Sequence, residues 1–151
     1  MASLLLKKLL VQELGETTVQ EEIEISSAGI AAMDGSFASK EAIDVLNTEG
    51  IDLSSHHARR LEKTDLDRAD LVLTMTAAHK QAVLRLAPKA QKKVFTLLEY
   101  SADPAAGDVL DPFGQGIEVY QECAEHLRKL LKAIIPKLIT ALRLDKEDKK
   151  K

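Results

Sequence analysis

The feature that most constrains the fold is a near-continuous apolar run over residues 69–75, with Leu71-Val72-Leu73 at its centre. An apolar run without polar alternation is typical of a strand covered on both faces, as in a parallel sheet. A helix predicted over Ala77–Leu86 follows it, and Pro88 is placed to end that helix. The run therefore predicts one strand of a parallel α/β sheet.

The rest of the chain alternates between strand and helix patterns. Strands are predicted over residues 19–26, where apolar and polar residues alternate, and over residues 94–98. Helices are predicted where apolar residues recur at three- and four-residue spacings, over Ala2–Leu14, 40–49 and 117–142. Strands separated by helices favour a parallel sheet with right-handed crossovers.

The length of 151 residues favours one domain with one core. No low-complexity linker divides the chain, so we predict a single domain over residues 1–143. Residues 144–151 are rich in charge and are predicted to form a solvated tail. Pro136 lies inside the last predicted helix and should bend that helix or end it early.

The composition excludes several classes of function. The net charge of −3, with both signs interspersed, gives no electrostatic reason to expect nucleic acid or anionic membrane as a partner. No apolar run approaches bilayer length, so we expect a cytoplasmic protein. The single cysteine, Cys123, permits no internal disulfide and no paired-cysteine metal site. His79 and His126 lack a second ligand one helical turn away, so no metal site is predicted.

Asp111-Pro112-Phe113-Gly114 is the segment best suited to chemistry. Pro112 keeps the residue before it out of the helical region, so Asp111 is presented from an extended loop. A carboxyl group beside an aromatic face suits a proton donor next to a flat substrate. The alternative reading is a turn that carries a carboxylate at the start of a helix.

Five segments in order resemble the low-molecular-weight protein tyrosine phosphatases. Asp111-Pro112-Phe113-Gly114 resembles the general-acid loop of that family. The other four resemble its segments around the second, third and fourth strands and the turn between the second and third: Ser27-Ala28-Gly29, Ser55-His56-His57-Ala58-Arg59, residues 69–75 and Lys93-Val94-Phe95-Thr96-Leu97. The resemblance covers nearly the whole chain and implies a flavodoxin-like, three-layer α/β fold around a parallel sheet of strand order 2-1-3-4.

The resemblance fails at the N-terminus. The family's nucleophilic cysteine and phosphate-binding arginine lie in a Cys-x5-Arg loop after the first strand, and Met1-Ala2 resembles the segment that follows this loop. We therefore expect the first strand and the loop to be absent, through a start assigned too late or a truncated copy, which the upstream DNA would decide. Cys123 has acidic neighbours and no phosphate-binding glycines or arginine around it, so it is not expected to replace the nucleophile.

The resemblance also implies roles for individual residues. Asp111 would be the general acid and base, Phe113 would flank the substrate, and His56 and Arg59 would brace the phosphate loop. No metal or organic cofactor is implied, and the partner would be a phosphorylated protein. The complete relatives would work through a cysteinyl-phosphate, whereas this chain is expected to be inactive as it stands.

Three alternatives to a tyrosine phosphatase stay open at different strengths. The chain also resembles the protein-arginine phosphatase branch, and it could be a non-catalytic pseudophosphatase that binds a partner. Arsenate reduction is disfavoured because it needs further redox cysteines. Loss of a central strand would leave sheet edges exposed, so we expect self-association through those edges.

Overall fold

The computed structural model describes residues 1–102 and 108–149, the last six of them as backbone only. Helices make up most of the chain: α1 Ala2–Leu14, α2 Glu16–Glu22, α3 Lys40–Asn47, α4 Lys63–Arg68, α5 Ala77–Leu86, a 3-10 helix Pro88–Lys93, α6 Leu97–Ser101 and α7 Ile117–Lys149. The two strands are β1 Val72–Thr74 and β2 Val94–Thr96. Residues 103–107, and residues 150–151 of the predicted tail, lie outside the described residues.

The sheet is parallel, which confirms the predicted α/β class. β1 and β2 pair with Val72 opposite Val94 and Thr74 opposite Thr96. The crossover between them runs through α5 and the 3-10 helix, which is the connection that parallel neighbours require. The described residues contain two of the strands expected from the family order. Both observed strands are shorter than the predicted ones, and Leu97 already belongs to α6.

The strand predicted over residues 19–26 is wrong. Its first four residues belong to α2, where Val19 is buried and the Gln20 amide donates to Glu16 Oε1 at 3.1 Å. Residues 23–28 carry no regular structure. A helix satisfies its backbone groups by itself, whereas a strand needs a neighbour. Within the described residues no strand lies beside this segment, so its alternating pattern does not produce a ladder.

The main core lies between α1, α3 and α7, because α7 packs against both of the other helices. Its most buried side chains are aliphatic: Leu5, Leu10, Leu46, Leu53, Leu97 and Ile134. Pro136 was expected to bend this helix or end it early; it does not end the helix, since α7 continues to Lys149, and the bend stays a prediction. Pro136 removes one backbone donor, but Ile134 and Ile135 are buried in the core and hold the helix in place. The backbone of residues 144–149 continues α7, and the boundary between domain and tail stays a prediction.

Local capping signals fix two helix starts that position the site. Thr76 precedes α5, and its hydroxyl oxygen accepts from the His79 N–H at 3.0 Å. Thr96 and Glu99 form a reciprocal capping box at the start of α6. Sequence reasoning missed α6, although the Thr-x-x-Glu spacing was visible.

Candidate active site

The segment around Asp111 is anchored at the carboxyl end of β1. The Val109 N–H donates to the Met75 carbonyl at 2.9 Å, and Met75 follows the last residue of β1. Val109 is 4% exposed and Pro112 is buried, so both flanks of Asp111 are held against the protein. In open α/β sheets ligands bind outside the carboxyl ends of the strands. The fold therefore presents Asp111 at the edge where a substrate would bind.

Asp111 and Phe113 are both available to a ligand. Asp111 is exposed, and its Oδ1 accepts from the Phe113 N–H at 3.0 Å, which closes a tight side-chain turn. Phe113 is 78% exposed. Gly114 follows with a φ of 78°, a left-handed conformation that a side chain would strain. The second carboxylate oxygen of Asp111 stays free of this turn and could exchange a proton with a bound molecule.

Cys123 lies beneath this loop, on α7. Its thiol is 3.8 Å from the Leu110 carbonyl and the residue is partly buried. Burial raises the pKa of the Cys123 thiol, and the negative charge of Asp111 raises it further, while the Met1 ammonium acts in the opposite direction. A thiol held in its protonated form is a poor nucleophile. The surroundings of Cys123 therefore oppose a nucleophilic role.

The Met1 amine and His56 both have shifted pKa values. Burial lowers the pKa of the Met1 amine, and the thiol of Cys123 acts against that shift. The pKa of His56 is lowered first by burial, then by the Met1 ammonium and by His57. His56 is thus biased towards its neutral form. The charge of the Met1 amine thus acts on both His56 and Cys123, and the charge of Asp111 acts on Cys123.

Arg59 forms an ion pair with Asp65. Its Nη1 donates to Asp65 Oδ2 at 2.7 Å, and the same oxygen accepts from the Glu62 N–H at 2.9 Å. The pKa of Asp65 is lowered first by the hydrogen bond from Arg59 and then by the one from Glu62. In this structure Arg59 therefore steadies the first turn of α4, and its predicted part in bracing a phosphate loop stays a prediction.

An open cleft of about 390 Å³ borders Arg59. Its lining consists of polar residues from two turns together with one alanine: Asp34, His57, Ala58, Arg59, Arg60 and Glu62. Asp111 and Phe113 are not among them, so the predicted proton donor lies outside this cleft. No sequence signal pointed to the cleft, because its walls come from turns more than twenty residues apart.

The described residues hold no group of three histidine, cysteine or carboxylate side chains close enough to bind a metal ion. Within the same residues no helix is long and apolar enough to cross a membrane. What the arrangement offers is one exposed carboxylate, Asp111, beside an exposed aromatic ring, Phe113. Such a set can donate and accept a proton, and by itself it contains no activated nucleophile.

Comparisons with known proteins find relatives over most of the chain. Residues 2–149 match the family model described as low molecular weight phosphotyrosine protein phosphatase. The protein-arginine-phosphatase of Geobacillus stearothermophilus is 39% identical over 118 residues, which is 78% of each chain. A probable low molecular weight protein-tyrosine-phosphatase of Ralstonia nicotianae is 32% identical over 77% of each chain. The solved arginine phosphatase of G. stearothermophilus superposes with a TM-score of 0.79 at 35% identity, covering 93% of this chain and 84% of that one.

Proposed function

Because this chain belongs to the low-molecular-weight phosphotyrosine protein phosphatase family, we propose that Asp111 is the general acid and base for hydrolysis of phosphorylated proteins. The observation that carries this proposal is the anchoring of its loop at the carboxyl end of β1. As an acid, Asp111 would protonate the leaving oxygen, and as a carboxylate it would take a proton from the attacking water. Phe113 would flank the leaving group.

The attack on phosphorus needs groups that these 151 residues do not contain. The sequence has no Cys-x5-Arg segment, and its one thiol is held protonated beside Asp111. We therefore expect the 151-residue chain to release no p-nitrophenol from p-nitrophenyl phosphate. Turnover by this chain that Asp111→Ala abolishes would contradict that expectation and would require another nucleophile.

The upstream reading frame makes the role of Asp111 testable. If it encodes Cys-x5-Arg in frame, the longer product should hydrolyse p-nitrophenyl phosphate, and Asp111→Asn should lower its kcat by about a hundred- to ten-thousand-fold. The matched control is Asp52→Asn, since Asp52 Oδ1 accepts from the Ser54 N–H at 2.9 Å in the same kind of side-chain turn. A kcat that Asp111→Asn leaves unchanged would refute the acid role.

The substrate of such a longer product would be phosphotyrosine or phosphoarginine in a protein. Relatives named for each activity match this chain with 32% and 39% identity. We propose phosphotyrosine as the substrate and phosphoarginine as the alternative substrate. Comparing kcat/KM on peptides that differ only in the phosphorylated residue separates the two.

A non-catalytic binding protein is the second candidate. Its specific support is the combination of an exposed Phe113 and Leu110 with the lack of a Cys-x5-Arg segment in these residues. Stop codons directly upstream would favour it. Titration with a phosphotyrosine peptide should then shift the amide resonance of Phe113 without any release of phosphate.

Three further expectations accompany this proposal. β1 and β2 each have one edge outside their shared ladder within the described residues, which supports self-association through a sheet edge. Sedimentation over a range of protein concentrations would test it, and a monomer at all concentrations would reject it. A cytoplasmic location and the absence of nucleic-acid binding stay predictions, to be tested by cell fractionation and by electrophoretic mobility shift.

A further inference from the structure

We propose that Asp108 is a positioning residue, which holds the proposed general acid Asp111 in place by hydrogen bonding to the first turn of α5. The link to catalysis rests on the proposed function, whereas the link between Asp108 and the location of Asp111 stands on geometry alone. Asp108 Oδ1 accepts from the Ala77 N–H at 3.0 Å, across 31 positions of sequence. Ala77 is the first residue of α5.

Asp108 satisfies a donor that the helix cap does not reach. The first four N–H groups of an α-helix have no partner inside the helix. Thr76 accepts from the third residue of α5 through its hydroxyl and from Lys80 through its carbonyl, at 3.0 and 3.1 Å. The Ala77 N–H points instead to the carboxylate of Asp108. A negative charge at a helix N-terminus is also favoured by the helix dipole, so this bond is stronger than a neutral one.

The bond acts on Asp111 through a short, fixed segment. Val109, the next residue, donates its N–H to Met75 at 2.9 Å and is buried. Asp108 and Val109 together therefore tie the segment before Asp111 to both sides of the turn between β1 and α5. After Asp111 comes the buried ring of Pro112. The exposed Asp111 thus lies between two attachment points, and the first is held by the hydrogen bond from the Ala77 N–H to Asp108.

Cys123 provides a direct readout of where Asp111 lies. Its thiol is 3.8 Å from the Leu110 carbonyl, and Asp111 contributes to the raised pKa of that thiol. If the loop moves away, the thiol loses the neighbouring charge and some of its burial, and more of it becomes thiolate at a given pH. The rate of reaction with a thiol reagent such as DTNB reports this change without any enzymatic turnover.

Two substitutions break the same hydrogen bond from opposite sides. Asp108→Ala removes the acceptor. Ala77→Pro removes the donor and leaves Asp108 intact, and proline is well tolerated at the first position of a helix. The preceding Thr76 has φ −134° and ψ 158°, a conformation compatible with a following proline. Asp108→Asn keeps an acceptor oxygen and serves as the conservative variant. Asp34→Ala is the matched control, because Asp34 Oδ1 accepts from the distant Arg60 N–H at 2.6 Å.

We expect Asp111→Asn to speed the reaction of Cys123 with DTNB at pH 8. Loss of the neighbouring negative charge lowers the pKa of the Cys123 thiol and raises its thiolate fraction, and the lower nucleophilicity of the weaker base removes part of that gain. Asp108→Ala and Ala77→Pro should each give a similar increase. The double variant Asp108→Ala, Asp111→Asn should react no faster than the faster single variant. Asp108→Asn and Asp34→Ala should stay near the wild-type rate.

The proposal is overturned if Asp108→Ala and Ala77→Pro, checked for native circular dichroism, both leave the Cys123 rate at its wild-type value. It is also overturned if the Asp108 and Asp111 effects multiply in the double variant, because independent effects would mean that Asp108 does not act through Asp111. These outcomes need no phosphatase activity. A longer product in which Asp111→Asn keeps full kcat would reject the proposed function and leave the positioning result standing.

Discussion

The helical core and the loop that carries Asp111 are held in place by different physics. The core of α1, α3 and α7 is built from many aliphatic side chains that exclude water, with Ile134 and Leu46 fully buried. The described part of the loop has two buried apolar residues, Val109 and Pro112, and is tied by hydrogen bonds that join Asp108 to Ala77, Val109 to Met75 and Asp111 to Phe113. Burial is non-directional and is shared among many residues. Hydrogen bonds are directional, so a few of them fix the position of one carboxylate.

Because of this difference, the free energy of unfolding and the position of Asp111 should depend on different residues. A substitution in the core should change the free energy of unfolding and leave the position of Asp111 unchanged in the folded protein. A substitution in the loop should displace Asp111 with little effect on unfolding. The Cys123 reaction rate and the unfolding free energy should therefore respond to different sets of residues.

Ile134→Ala should give the largest effect. Its side chain is 0% exposed, and large-to-small core substitutions of this kind cost about 2–5 kcal/mol. Urea unfolding followed by circular dichroism measures the loss. The control is Leu110→Ala in the loop, where the side chain is 77% exposed and the expected change is within about 0.5 kcal/mol. A large loss of stability from Leu110→Ala would show that the loop contributes to stability as the core does.

Glu49→Gln should have an intermediate effect. Arg128 on α7 donates to Glu49 through both Nε and Nη2, and the Lys8 ammonium on α1 donates to the Glu49 carbonyl at 2.5 Å. The carboxylate is partly buried, so its loss should cost about 1–2 kcal/mol. Arg128→Ala with Glu49→Gln, in a double-mutant cycle, isolates the pair from the Lys8 bond. Additive effects in that cycle would mean that the two side chains do not stabilise each other.

Arg59→Ala should have the smallest effect and a characteristic pH dependence. The Asp65 pKa lies below its ordinary value, first because of Arg59, so the pair stabilises the fold above the unfolded-state pKa of Asp65. That contribution is lost as the pH falls from about 4 through the folded-state pKa. The exposed pair should contribute at most about 1 kcal/mol. In NMR titrations of Arg59→Ala the Asp65 pKa should rise. An unchanged pKa would show that Arg59 does not stabilise the Asp65 carboxylate.

Local signals predicted those parts of the fold that local energetics decide. α5 has the predicted bounds because Thr76 caps its start and Pro88 prevents its continuation. The strand predicted over residues 19–26 failed because the stability of a strand depends on a neighbour that its own sequence does not contain. Pro136 does not end α7 because burial of the adjacent Ile134 and Ile135 outweighs one lost hydrogen bond.

The candidate site likewise has features that local sequence determines and features that depend on tertiary contacts. The sequence by itself determined the family and the Asp111-Pro112-Phe113-Gly114 loop, because proline and glycine set backbone conformation from within the segment. Only the tertiary structure decided that Asp108 meets Ala77, that Cys123 lies beneath Leu110 and that Arg59 pairs with Asp65. The first two contacts join distant segments whose approach is set by the packing of the whole chain. The third, six residues apart, depends on how the turn before α4 folds back on itself.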